Sequence, residues 1–315
     1  MKKWTMMLLT VGALALACSK SSTGPTDNNG AGDNTGTTLS EEQAVANMVS
    51  GTFSDPGRFM TPSGMMGPMM STGPMSTQQG GCAGTLNPPN PVDNDADGVY
   101  QTATWTVDCD TVISLPGAAT YHIIKQGYVA MVDSNDTDPW VGHVEVGNTQ
   151  RTDNFFHYYF EYPNMPNGLT IDHKGVLSTN RNGNAYTVYL DYTWRFQVGD
   201  TVYGPIHYLW DGSFTPQDPN WDPGTGYLTD GTLSVNGSME YTLPQGTLMT
   251  LNIQTLTPVQ YASTCNGGGP VSGAFRISWN NGQDVLEMQI TGCDQYTATY
   301  NGQTIPVQPV HMGGA

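Results

Sequence analysis

Charge is scarce in this chain, and positive charge most of all: 12% of its 315 residues are charged, with ten Lys and Arg against 27 Asp and Glu. The formal net charge of −17 at pH 7 repels phosphate backbones, which excludes nucleic acid as a partner. No G-x-S-x-G elbow and no phosphate-binding loop is present. The histidines, His122, His143, His157, His173, His207 and His311, are scattered one per segment without the H-x-x-x-H or H-E-x-x-H spacing of a zinc site. The cysteines lack a C-x-x-C pair, which argues against a thiolate-held metal.

What the chain does carry begins at its N-terminus. Lys2 and Lys3 precede an apolar run from Trp4 to Leu16, too short to span a bilayer and suited to a cleaved secretory signal. The run ends in Ala15-Leu16-Ala17 directly before Cys18. This resembles the lipobox of bacterial lipoproteins, in which the Cys is acylated and becomes the mature N-terminus; Ala15 stands where such motifs usually carry Leu. The resemblance implies lipidation of Cys18 and a membrane partner reached through the lipid anchor. Ser19 follows where an Asp would retain such a protein at the inner membrane, so the expected location is the outer membrane. Loss of the leader removes Lys2 and Lys3, leaving eight basic residues against 27 acidic, a net charge of −19.

Of five cysteines, assigning Cys18 to lipid leaves Cys82, Cys109, Cys265 and Cys293, an even set for an oxidising compartment. Four cysteines allow three connectivities. The favoured one is Cys82–Cys109 with Cys265–Cys293, because 273–279 and 285–290 read as alternating strands joined by Asn280-Asn281-Gly282. Folding that hairpin returns Cys265 and Cys293 to the same end.

The organisation expected is a signal peptide over 1–17, the lipidated Cys and a flexible Gly/Ser/Thr/Asn tether over 18–39, a short helix and Met/Pro/Gly-rich segment over 40–80, and a disulfide-bonded β domain over 81–315. Ser40-Glu41-Glu42-Gln43 fits a capping box with Leu39 as staple. Val45, Met48 and Val49 share a face of the helix that follows, and Gly51 can end it. Period-two patterning starts near residue 99 and is clearest at 186–198, where Tyr186, Val188, Leu190, Tyr192, Trp194, Phe196 and Val198 fall on one face. Further strands are expected at 121–132, 155–162, 169–178, 205–210, 232–243, 248–256 and 296–300. The fold class is therefore mostly β: an antiparallel meander forming a curved sheet, β-sandwich or partial barrel, with one short N-terminal helix. Long alternating strands also mark transmembrane barrels, but a lipid anchor, two disulfides and the non-aromatic end His311-Met312-Gly313-Gly314-Ala315 favour a domain outside the bilayer.

Asp93-Asn94-Asp95-Ala96-Asp97-Gly98-Val99 matches D-x-D-x-D-G, in which alternate carboxylates converge on one hard cation and the glycine permits the turn. It resembles the calcium loops of thrombospondin type 3 repeats and dockerins. That resemblance implies a structural calcium held by Asp93, Asp95, Asp97 and the Val99 carbonyl, with Asp108 or Asp110 available from the adjoining strand; the alternative is an acidic solvated turn. Met60, Met65, Met66, Met69, Met70 and Met75 resemble Met-rich copper segments, although an adaptable apolar flap fits them better. The function expected is a non-enzymatic binding or envelope-structural module. The alternatives are a carrier of lipid or another hydrophobic ligand, by similarity to periplasmic lipid-carrier folds, and a secreted hydrolase whose acidic residues gather only in three dimensions.

Overall fold

The computed structural model describes residues 40–54, 82, 84–95, 99–114, 120–135, 137–138, 141–162, 165–217, 230–242, 248–265, 269–293 and 295–307. Among the described residues one helix, α1 (Glu41–Ser54), precedes the strands. These are β1 (Thr85–Asn87), β2 (Ala103–Ser114), β3 (Thr120–Val132), β4 (Gly142–Gly147), β5 (Phe156–Tyr162), β6 (Met165–Asn182) and β7 (Ala185–Val198). They continue with β8 (Thr201–Pro216), β9 (Gly231–Thr242), β10 (Leu248–Tyr261), β11 (Pro270–Trp279), β12 (Asp284–Gly292), β13 (Gln295–Tyr300) and β14 (Gln303–Ile305). All belong to one 14-stranded antiparallel sheet whose order follows the chain, except that β4 and β5 share a slot between β3 and β6. The mostly-β antiparallel meander with a short N-terminal helix is therefore present as expected. Among the described residues no helix is long and apolar enough to cross a membrane.

The turns follow from their residues. Asn182 pairs with Ala185 around Gly183 at φ +64°, and Tyr300 pairs with Gln303 around Asn301 and Gly302 at φ +46° and +83°. Asn and Gly tolerate this left-handed backbone, whose twist matches that of the flanking strands. Asn280-Asn281-Gly282 makes a 3-10 turn at φ +50°, +56° and +80° and closes the β11–β12 hairpin. Both sheet edges end in three-residue strands, β1 and β14, which offer little template for pairing with another chain.

One face of the sheet, the inner face, carries a single apolar cluster drawn from β2 through β13. On β7 it takes Tyr186, Val188 and Leu190, as the alternation predicts, while Thr187 and Tyr189 are exposed on the outer face. Helix α1 is seated on this inner face. Val45, Ala46, Val49 and Phe53 recur at helical spacing and are buried. Phe53 stacks on Phe275 of β11 at 4.0 Å between ring centroids and lies 6.2 Å from Trp210 of β8. The Tyr261 hydroxyl donates to the Phe53 carbonyl at 2.9 Å, and Trp279 Nε1 donates to Glu41 at 2.8 Å. At the start of the helix, Ser40 N–H donates to the Gln43 side chain at 3.2 Å, one half of the expected capping box. The helix runs through Gly51 to Ser54 rather than ending at the glycine. Docking of Phe53 between β8 and β11 holds the last turn, so tertiary packing outweighs the helix-ending tendency of Gly51.

Candidate functional site

The shared β4/β5 slot creates the one break in the meander. Strand β3 pairs with β5 from His122 to Gln126 and with β4 from Tyr128 to Val132, and β6 divides in the same way. Between β4 and β5 the chain leaves the sheet over residues 148–155. Glycine is required at this junction: Gly127 has φ +146°, and a Cβ there would lie 2.4 Å from the Phe156 ring. Gly175 has φ +140°, and its Cβ would lie 2.1 Å from the Asp191 carbonyl. The excursion is fixed by its own polar groups. Asn148 N–H donates to the Asn154 carbonyl at 3.1 Å, and the Asn148 side chain donates to the Gln126 carbonyl at 3.1 Å.

On the outer face the excursion closes over a charged network. Asp172 of β6 is 3% exposed and accepts from His157 Nδ1 at 2.7 Å and from Arg195 Nε at 2.8 Å. Arg195 also donates to Asp153 at 3.0 Å, and Arg151 makes two bonds to the same carboxylate at 3.0 and 2.9 Å. Phe155 lies against both Lys174, whose Nζ is 4.5 Å from the ring centroid, and Arg195, whose Cζ is 4.7 Å away. Burial pushes the Asp172 carboxyl up, but the hydrogen bonds from His157 and Arg195 outweigh it and hold the group ionised. The bonds from Arg151 hold Asp153 well below the usual carboxylate range against the opposing effect of burial. The carboxyls with a clear departure, Asp153, Asp172, Asp230 and Asp284, all move down, whereas a general acid at neutral pH needs one moved up. This arrangement can brace the excursion against the sheet.

The inner face changes character at the same junction. On the β4 side Val129, Met131, Val144, Val146, Leu177, Val188 and Leu190 are all buried. On the β5 side the same face presents Tyr121, Ile123, Tyr158, Phe160, Ile171 and Val198, each half-buried, beside the buried Phe156 and Leu169. Tyr121 and Phe160 stack at 5.7 Å. Lys125 sits among them, 7% exposed, with its ammonium 5.5 Å from the centroid of the Tyr158 ring. Burial lowers its pKa to about 8. One pleat further along, at the boundary with the sealed core, His173 is 7% exposed and its Nδ1 lies 2.9 Å from the Tyr192 hydroxyl. His173 Nε2 has no hydrogen-bond partner among the described residues. Burial lowers the His173 pKa to about 4, partly opposed by the charge of Asp172, so the ring is neutral at pH 7.

The disulfides are Cys82–Cys109 and Cys265–Cys293, the pairing the hairpin argument favours. Cys82 continues the register in which Thr85 faces Thr106, so its disulfide crosses directly between paired strands. Disulfides are the usage of proteins that fold outside a reducing cytosol. Of the expected calcium ligands, Asp93 Oδ1 and Asp95 Oδ2 are shielded from solvent, Val99 is fully buried, and Asp97 lies outside the described residues. Burial and the nearby Asp93 charge raise the Tyr100 pKa. Among the described residues no group of three or more His, Cys, Asp or Glu side chains is gathered for a metal ion. Asp108 and Asp110 face other partners on the outer face, Gln126 at 3.1 Å and His122 at 2.6 Å. Cys18 and the methionines from Met60 to Met75 lie outside the described residues.

The residues that sequence reasoning did not single out are Lys125, Asp153, Asp172 and Arg195. A charged residue at an inner-face position of an alternating strand was the available signal for Lys125, since 121, 123 and 125 share a face and the other two are apolar. Comparison with family models, with curated proteins and with solved structures finds no match to this chain. The fold and site thus define a class only: a disulfide-bonded antiparallel β meander with a helix seated on its inner face and an apolar, lysine-bearing extension of that face at one end.

Proposed function

We propose that this protein is a lipid-anchored outer-membrane binding module, not an enzyme, and that its ligand is a hydrophobic molecule received by the β5 end of the inner face. The observation that carries the reading is the cluster of half-buried side chains, Tyr121, Ile123, Tyr158, Phe160, Ile171 and Val198, that the inner face gathers at its β5 end. A contiguous apolar patch beside a formed core is a candidate surface for a hydrophobic ligand. Titration with an apolar fluorophore such as N-phenyl-1-naphthylamine tests it. Saturable binding that Ile171→Glu weakens at least tenfold is expected, and absence of saturable binding by the wild type refutes the reading.

The anchor rests on the Ala15-Leu16-Ala17-Cys18 pattern, with the two disulfides supporting an extracytoplasmic location. Cys18→Ala should abolish palmitate labelling of the chain in vivo, and unchanged labelling refutes lipidation. A calcium ion held by Asp93, Asp95, Asp97 and the Val99 carbonyl belongs to the same proposal as a structural ligand. Its oxygen donors suit a hard cation, and two of the carboxylate oxygens are shielded from solvent.

A further inference from the structure

On the inner face Trp105 Nε1, Trp210 Nε1 and His173 Nε2 are each buried without a hydrogen-bond partner among the described residues. The two indoles are covered by the fold itself. A Cβ at Gly84 would lie 2.0 Å from Trp105 Nε1, and the Trp210 ring stacks with Phe53 of α1 at 6.2 Å. His173 is placed differently. It is only 7% exposed, yet its inner-face neighbours are half-buried: Ile171 on its own strand, Trp194 opposite it on β7, and Ile206 opposite Trp194 on β8. Through Ile171 and its register partner Tyr158 this row joins the half-buried β5 end of the face.

The His173 ring is held in place on two sides. Nδ1 lies 2.9 Å from the Tyr192 hydroxyl, and Phe156 meets the ring edge-on at 5.1 Å between centroids. The first contact has two forms. Either the Tyr192 hydroxyl donates and Nε2 carries the ring proton, or Nδ1 donates and Nε2 presents its lone pair. A hydroxyl both donates and accepts, so it complements Nε2 in either tautomer, whereas a carbonyl or an ether complements only the first. A purely apolar guest leaves Nε2 unsatisfied. An ionised head would be desolvated against a ring that burial itself keeps neutral at pH 7. A mostly apolar surface with one fixed polar group is the usual composition of a site in which that group sets the orientation of the ligand.

We propose, building on the binding function above, that the ligand is an uncharged amphiphile with a single hydroxyl head, which hydrogen-bonds to His173 Nε2 while its hydrocarbon part lies along Ile171, Tyr158 and Phe160. Binding then makes a hydrogen bond that folding left unmade. The gain falls on the hydroxyl and not on the chain, so the site selects by head group among ligands of equal length. Tyr192 is a positioning residue: its contact with Nδ1 fixes where Nε2 points.

The test uses the full chain, loaded with the apolar fluorophore and titrated with 1-decanol and with 1-chlorodecane, which share a chain and differ in the head. The quantity read is the ratio of their potencies, in which a general change of affinity cancels. From the wild type to His173→Phe this ratio should shift about tenfold against the alcohol, the equivalent of one hydrogen bond contributing about 1.4 kcal/mol. His173→Phe alone leaves the Tyr192 hydroxyl without its partner and can fail to fold. The double variant, His173→Phe with Tyr192→Phe, removes both groups and should show the same shift. In wild-type protein carrying nitrogen-15 histidine, 1-decanol should move the His173 Nε2 resonance and 1-chlorodecane should not. A ratio equal within about twofold in wild type and variants overturns the inference and leaves the apolar-binding function standing. An Nε2 resonance indifferent to the alcohol does the same and assigns that nitrogen to a buried water. Failure of the fluorophore itself to bind strikes the underlying function instead.

Discussion

Acid should unfold this protein partly through one imidazole. His173 has a pKa of about 4 in the folded chain, depressed mainly by burial, against an ordinary value of 6.5. Above the ordinary value the ring is neutral in both states and its titration does not affect stability. Between the two values the unfolded chain takes a proton that the folded chain refuses, so stability falls as pH falls, by at most about 1.4 kcal/mol per pH unit. Over the full window the loss amounts to about 3 kcal/mol; below about pH 4 the folded chain binds the proton too and the contribution stops changing. Asp153 and Asp172, held below their ordinary range, add their own losses only at the acid end of that window and beyond it. His173→Asn removes the titration while leaving a polar group near the Tyr192 hydroxyl. Urea unfolding of both proteins under oxidising conditions, from about pH 7 to about pH 4.5, should show the variant's deficit shrinking by about 2 kcal/mol. A deficit that stays constant over this range would refute the burial argument for His173.

Phe53→Ala removes the ring that stacks on Phe275 and reaches Trp210, and should destabilise the domain by about 3–5 kcal/mol in urea unfolding; less than about 1 kcal/mol would mean that α1 is not seated on the core. Asp172→Asn leaves His157 and Arg195 without the buried carboxylate they share and should lower stability by about 3 kcal/mol, read by the same assay with fluorophore affinity unchanged within about twofold. Millimolar calcium should raise wild-type stability by about 1.4 kcal/mol when the free ion is roughly tenfold above its Kd, and Asp95→Ala should abolish the gain; superimposable melts with calcium and with chelator would return the loop to an acidic turn.

Much of this fold was legible in local pattern. The alternation at 186–198 assigned the two faces of β7 correctly, because a pleated strand has a fixed period of two. Asn280-Asn281-Gly282 located a hairpin because left-handed backbone selects those residues, and that hairpin led to the pairing of Cys265 with Cys293. The strands expected from alternation omit β1, β2, β4 and β14. On β2 the alternation is clear from Ala103 to Asp110 and breaks only at Thr111 and Val112, whereas β4 is a six-residue strand whose period-two signal is short. The sequence also placed the end of α1 at Gly51, three residues early, because the contacts of Phe53 with β8 and β11 are not local.

Sequence alone determined that the chain builds antiparallel β structure and that one of its hairpins returns Cys265 and Cys293 to the same end. These properties follow from composition and from spacings of a few residues, over which the backbone's preferences act directly. Only the tertiary structure decided that β4 and β5 share a slot, that Asp172 and His173, neighbours in the chain, meet an arginine on one face and an apolar core on the other, and that Lys125 lies beside Tyr158 and Ile171. Each of these depends on which strands lie side by side and in what register. Register is set by the packing of the whole sheet on its core, a sum over many distant contacts that no single stretch of sequence contains.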